Sequence, residues 1–182
     1  MPTRDSSHAA VLTPAQFAER FRESSRVLWC IAAGVLGERA QAEDVLQEAA
    51  LTALSKLHTF RPESNFVAWI GQFVRYVALN HRRKRERRSR ALRKEASSEP
   101  ARDDQPPAAM FDANVRLALE ALGETARTCL LLKTVVELDY AEISELLDIP
   151  VGTAMSHVSR ARAKMQKLLG EPQWATQGGG SR

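Results

Sequence analysis

Apolar residues recur at three- and four-residue steps along most of the chain, and strict alternation is scarce, so helices are predicted and strands are not. Thr13-Pro14-Ala15-Gln16 is a helix start: a hydroxyl cap, proline at the first position and glutamine at the third. A first helix is expected through Phe17 and Phe21, and an apolar second one from about Ser25 to Leu36, stopped by Gly37. Glu38 to Leu57 reads as one long amphipathic helix. Its core stripe is Val45, Leu46, Ala49, Ala53, Leu54 and Leu57, with Asp44, Gln47, Glu48 and Leu51 on other faces. His58 to Asn65 is a loop marked by Pro62, and Ser64 or Asn65 can cap the helix that follows. There Phe66, Trp69, Ile70, Phe73, Val74 and Val77 form a stripe of the kind that packs a core. Periodicity lapses through SSEPARDDQPPAA and resumes over Val115 to Leu122, with Gly123 as a stop. A helix over Ala126 to Val136 then directs Leu130, Leu131, Val135 and Val136 to a core.

The last periodic stretch is the most informative. Asp139 with Glu142 makes an approximate capping box for a short helix that carries Ile143, Leu146 and Leu147 on one face. Asp148-Ile149-Pro150 breaks it, and Pro150 suits the first turn of another helix. In that helix Val151, Met155, Val158, Met165, Leu168 and Leu169 recur at helical steps, while Thr153, Ser156, Ser159, Arg160 and Lys164 fall largely elsewhere. A short helix, a tight turn and a longer helix with polar and basic groups outward is the layout of a helix-turn-helix. An ordinary helical hairpin with a solvated basic face fits the same periodicity.

Charge sharpens the picture. The formal net charge of +4 is unevenly spread: His81 to Lys94 holds nine Lys/Arg against one acid, a local +8. Glu95 to Glu124 holds seven acids against Arg102 and Arg116, a local −5. Such polarity suggests a polyanion partner for the first segment and not for the second. The 182 residues allow one or two small domains, and 44% hydrophobic with 26% charged residues matches a globular chain. Cys30 and Cys129 lie far apart in apolar helical patterns, and no metal-ligand spacing is evident, so reduced buried thiols and no metal or cofactor are expected. The longest apolar run, Val27 to Leu36, is about half of a spanning helix, and Met1 to Val11 has no apolar signal core. A cytoplasmic protein is the expectation. No phosphate loop or activated nucleophile is evident, so no enzyme is expected.

The wording DYAEISELLDIPVGTAMSHVSRARAKMQKLL closely resembles the C-terminal DNA-reading domain of RNA polymerase sigma factors of the extracytoplasmic-function type, within the sigma-70 family. The resemblance makes Thr153, Met155, Ser156, His157, Ser159, Arg160 and Lys164 the expected contacts to the promoter −35 element. Met155 stands where Lys or Arg is common, and His157 where Arg is usual. Independently, AEDVLQEAALTAL resembles the helix of sigma domain 2 that docks on the polymerase clamp, which implies polymerase contacts for Asp44, Gln47, Glu48 and Leu51. FRPESNFVAWIGQFVRYVALNHRRK resembles the promoter-melting region. By that resemblance the loop with Phe60, Arg61, Ser64 and Asn65 captures an unstacked −10 base, while Arg75, Asn80, Arg82 and Arg83 follow the backbone. Tyr76 replaces a common Asn, with stacking on a base and packing both open.

The expected architecture is all-α: two small helical domains joined by a flexible acidic linker. Residues 1–12 form a lead, 13–94 sigma domain 2, 95–112 the linker, 113–170 sigma domain 4 and 171–182 a flexible tail. The linker could extend some 60 Å at about 3.3 Å per residue, beyond the roughly 34 Å of one DNA turn. Expected partners are core RNA polymerase, promoter DNA and, by family likeness, an anti-sigma factor. Two other classes remain: a stand-alone helix-turn-helix regulator, and a sigma mimic that sequesters an anti-sigma factor.

Overall fold

The structure, a computed structural model, describes residues 12–95 and 109–170, and every element among them is helical. The expectations for the lead, for residues 96–108 and for the tail with Trp174 lie outside the described residues. Helix α1 runs unbroken over Pro14–Leu36, where two helices were expected. Nothing between Phe21 and Ser25 breaks a helix, since the serines there carry only a small propensity penalty. Its start is the capping box of Thr13 and Gln16, and its end is Gly37 in the left-handed region (φ 80°), whose N–H returns to Ala33 O.

Helix α2 spans Ala42–Leu54, shorter at both ends than the stretch from Glu38 to Leu57. Residues 37–41 are spent turning the chain, and Leu57–Thr59 form a single 3₁₀ turn. Val45, Leu46, Ala49 and Ala53 are buried as the stripe predicts, but Leu54 is exposed and Leu57 only half-buried. Helix α3, Phe66–Glu95, is capped by Asn65, whose Oδ1 accepts from the amides of Val67 and Ala68 at 2.9 and 3.1 Å. The whole basic run is therefore helical. Helix α4 begins at Ala109 and ends at Glu120, so the last residues assigned to the linker are helical instead.

Helices α5 (Glu124–Thr134), α6 (Tyr140–Leu147) and α7 (Val151–Leu169) complete the chain. The capping box of Asp139 and Glu142 opens α6 with two 2.7 Å bonds, and Asp148 closes it in the left-handed region (φ 52°). Pro150 then precedes α7. Only Ala154, Val158 and Ala161 of α7 are buried, with Met165 half-buried. Val151, Met155, Leu168 and Leu169, placed on the apolar face from sequence, are exposed.

Helix α1 is the shared spine. It packs against α2 and α3 on one side and against α5 on the other, so both halves contribute to a single core. The crossing is close at Gly34, where an added Cβ would lie 2.8 Å from Thr128 Cα. Arg127 completes the seam. Its buried guanidinium donates to Gly34 O (2.6 Å) and Val35 O (3.4 Å) at the end of α1, and to Leu119 O (3.1 Å) and Leu122 O (3.2 Å) at the end of α4. One cation thus satisfies orphan carbonyls of two helix ends and opposes their negative dipoles. The two small helical domains expected from sequence are both present, and in this state they pack on a common core.

Candidate nucleic-acid interface

Three exposed strips carry the residues singled out in the sequence. The first lies on α3 and the loop before it. Arg61 and Ser64 are exposed, and Ser64 Oγ donates to Arg61 O at 2.7 Å, which fixes the turn. Phe60 is placed differently from the expectation. It is buried, edge-on to Phe66 (5.8 Å) and Trp69 (5.3 Å), so it supports the loop from beneath. Trp69 is tied to Thr59 by its indole N–H at 3.3 Å. The aromatic stripe is core, as periodicity predicts.

Farther along α3, two walls can be separated. One holds Arg75 and Arg82, which both reach Glu124 of α5, at 3.3 and 3.0 Å. Asn65, below them, donates through Nδ2 to Glu145 of α6 at 3.0 Å. The other wall holds Gln72, Tyr76, Asn80 and Arg83, all exposed. Tyr76 is 63% exposed, which settles the open choice against packing. A basic helix face with an aromatic ring standing out of it is suited to phosphates and bases together. Sequence reasoning did not include Gln72 in this wall, although the spacing Gln72–Tyr76–Asn80 is a plain four-residue step.

The second strip is on α7. Met155, Ser156, Ser159 and Arg160 are exposed, while Thr153 and His157 are half-buried on its flank. Ser156 Oγ donates back to Gly152 O at 2.8 Å, and Arg160 Nε to Ser156 O at 3.2 Å, so the guanidinium lies along the helix surface. Lys164 turns away and donates to Ala121 O at 2.6 Å, capping the end of α4. Lys167, absent from the sequence-based set, is exposed about two turns beyond Arg160 and three beyond Ser156 on the same face.

The third strip is on α2, where Asp44, Gln47, Glu48 and Leu51 are all exposed. Leu51 is 70% exposed among acids, an apolar group offered to a protein rather than to a polyanion. Glu48 also meets His81 of α3 at 2.7 Å. Away from these strips, burial pushes the thiols of Cys30 and Cys129 up to about 11, so both stay protonated and inert. Burial also pulls the Arg127 guanidinium below its usual range, Arg82 acting in the same direction and Glu124 against it.

Comparison with known proteins gives these strips a context. Residues 20–88 match the family model for Sigma-70 region 2, and residues 112–165 that for Sigma-70, region 4. The chain is 30% identical over 146 residues to the ECF RNA polymerase sigma factor EcfG of Rhodopseudomonas palustris, covering 78% of each chain. It is 33% identical over 147 residues to the RNA polymerase sigma-H factor of Pseudomonas aeruginosa, covering 71% of this chain and 73% of that one. Among solved structures, the sigma factor RpoE in complex with the anti-sigma factor NepR from Bartonella quintana aligns with a TM-score of 0.62 and 25% identity. That alignment spans 84% of this chain and 96% of that chain. With two region models matched in order and relatives of this similarity over most of their length, the chain belongs to the extracytoplasmic-function RNA polymerase sigma factors.

Proposed function

We propose that the protein docks on core RNA polymerase through Asp44, Gln47, Glu48 and Leu51 of α2, and reads a promoter at two places. Helix α7 takes the −35 element with Ser156, Ser159 and Arg160 at the centre of its outward face and Met155, Thr153 and His157 at the margins. Helix α3 and the Arg61–Asn65 loop take the −10 element and assist its opening, with Arg75, Arg82 and Arg83 on phosphates. The polymerase performs the chemistry, in the cytoplasm, and the chain catalyses nothing itself. An anti-sigma factor is the expected regulator. The observation that carries the reading is the exposure of three strips with distinct chemistry in one chain: acids around an apolar residue on α2, arginines with an aromatic on α3, and hydroxyls with a guanidinium on α7.

The test uses purified protein, core polymerase and a promoter library. Arg160→Ala is expected to abolish −35-dependent transcription, at a cost of about 1–3 kcal/mol for a lost bidentate base contact. His157→Arg is expected to bind many sequences more tightly and to steepen the salt dependence, because it adds a permanent charge beside the groove. A neutral Arg160→Ala would take α7 off the DNA and favour the sigma mimic.

A further inference from the structure

Between the end of α1, the turn after it, α4 and α5 lies an open cleft of about 510 Å³. Its apolar lining is Trp29 of α1, Leu119 of α4, and Leu131 and Val135 of α5, all half-buried. The three strips described above use none of these residues. Half-exposed apolar side chains gathered along one concavity gain by being covered. The volume falls within the roughly 300–1,000 Å³ of small-molecule sites, whereas a stable protein partner needs a face of about 800 Å².

The charges beside this lining leave one sign unmatched. Glu38, the one acid among the described lining residues, is paired with Arg85 of α3. Arg127 is buried and spent on helix-end carbonyls. Arg39 and Arg116 are exposed at the cleft and pair with no carboxylate among the described side chains. Arg39 stands over the Trp29 ring, its Cζ 5.5 Å from the centroid. An arginine resting on an indole is an ordinary surface contact. Here it also brings a guanidinium fork to the edge of an apolar cleft, and that fork matches a carboxylate.

We infer that this cleft binds a small amphipathic anion, an aryl or medium-chain alkyl carboxylate. Its apolar body lies among Trp29, Leu119, Leu131 and Val135, and its carboxylate is taken by Arg39 and Arg116. The cleft is lined from the N-terminal half by α1 and its turn and from the C-terminal half by α4 and α5, so a bound molecule stabilises their packing. The site stands apart from the polymerase- and DNA-facing strips, and its occupancy does not depend on how those are read.

The experiment is equilibrium dialysis of the full chain against phenylbutyrate, with phenylbutyramide as the neutral molecule of the same shape. Phenylbutyrate is expected to bind once per chain, about tenfold tighter than the amide, because only the carboxylate makes charge-assisted bonds. It is also expected to raise the thermal unfolding midpoint. Arg39→Gln with Arg116→Gln changes two exposed positions and is expected to erase the tenfold difference, leaving weak and equal binding of both molecules. Val135→Phe fills the cleft from a half-buried position and is expected to lose both. Should Val135→Phe not fold, the double arginine variant still decides. Phenylbutyrate no tighter than the amide, or an advantage that survives the loss of both arginines, overturns the inference. Failure of the full chain to bind either molecule overturns it too. Size-exclusion chromatography of that sample then tells a cleft covered by a second copy, which doubles the mass, from one covered by the chain's own ends.

Discussion

Arg127 shows how much a single side chain can carry without any signal in the sequence. In a helical pattern an isolated arginine reads as solvated surface, and only the fold reveals it as buried beneath two helix ends. Arg127→Ala takes the guanidinium donor from the carbonyls of Gly34 and Leu122 and is expected to destabilise the chain by about 3 kcal/mol. Arg127→Lys keeps the charge but not the fork, so it should recover only part of that loss, and urea unfolding of the two variants checks both values. Phe60 went astray for a related reason. A residue at the mouth of a loop can face either way, and here neighbouring rings at 5.3 and 5.8 Å draw it inward. Thr13, Asn65 and Asp139 were legible because capping is decided within three residues.

At the scale of elements, existence was easy to read and extent was not. All helices follow from spacing, but the break expected near Arg22 is absent, α2 is trimmed at both ends, and α4 starts earlier. The apolar face of α7 is narrower than its large residues suggest: Val158 is buried as expected, but its companions in the core are Ala154 and Ala161, while Val151, Met155, Leu168 and Leu169 are exposed. Helix α2 is the simplest element to test. Asp44→Ala with Gln47→Ala changes two exposed positions off the core stripe, so thermal unfolding should be unaltered within about 0.5 kcal/mol. Co-purification with core polymerase should fall. Binding that is retained in full would remove α2 from that interface.

For the whole molecule, the sequence indicated two halves and concealed their union. Gly34 and Arg127 meet across 93 residues, and Arg82 and Glu124 across 42, and no local period encodes such meetings. The consequence differs from what the linker composition suggests. A flexible linker alone would let a cut between residues 95 and 109 free two domains. With α1 packed on α5 in a common core, the fragments should instead remain associated after the cut and elute together in size-exclusion chromatography. Elution as two separate species would show that the seam is too weak to hold without the connecting chain. A variant with Glu124→Gln and Glu145→Gln should part more readily after the same cut, since both carboxylates bind side chains of α3 or its cap across the seam.

Helix α3 is 30 residues long, about 45 Å at the usual rise, and residues 86–92 are exposed on every side. Arg85, which donates to Leu36 O at 3.1 Å, is the last arginine tied to the body of the protein among the described side chains of α3. Arg87, Arg88 and Arg90 beyond it hold a positive potential away from the acids that occupy the wall below. Such a rod enlarges the distance over which a polyanion is felt, so its main effect is on the speed of encounter and not on the lifetime of the complex. The packed chain can thus arrive at a polyanion quickly, led by the far end of this helix.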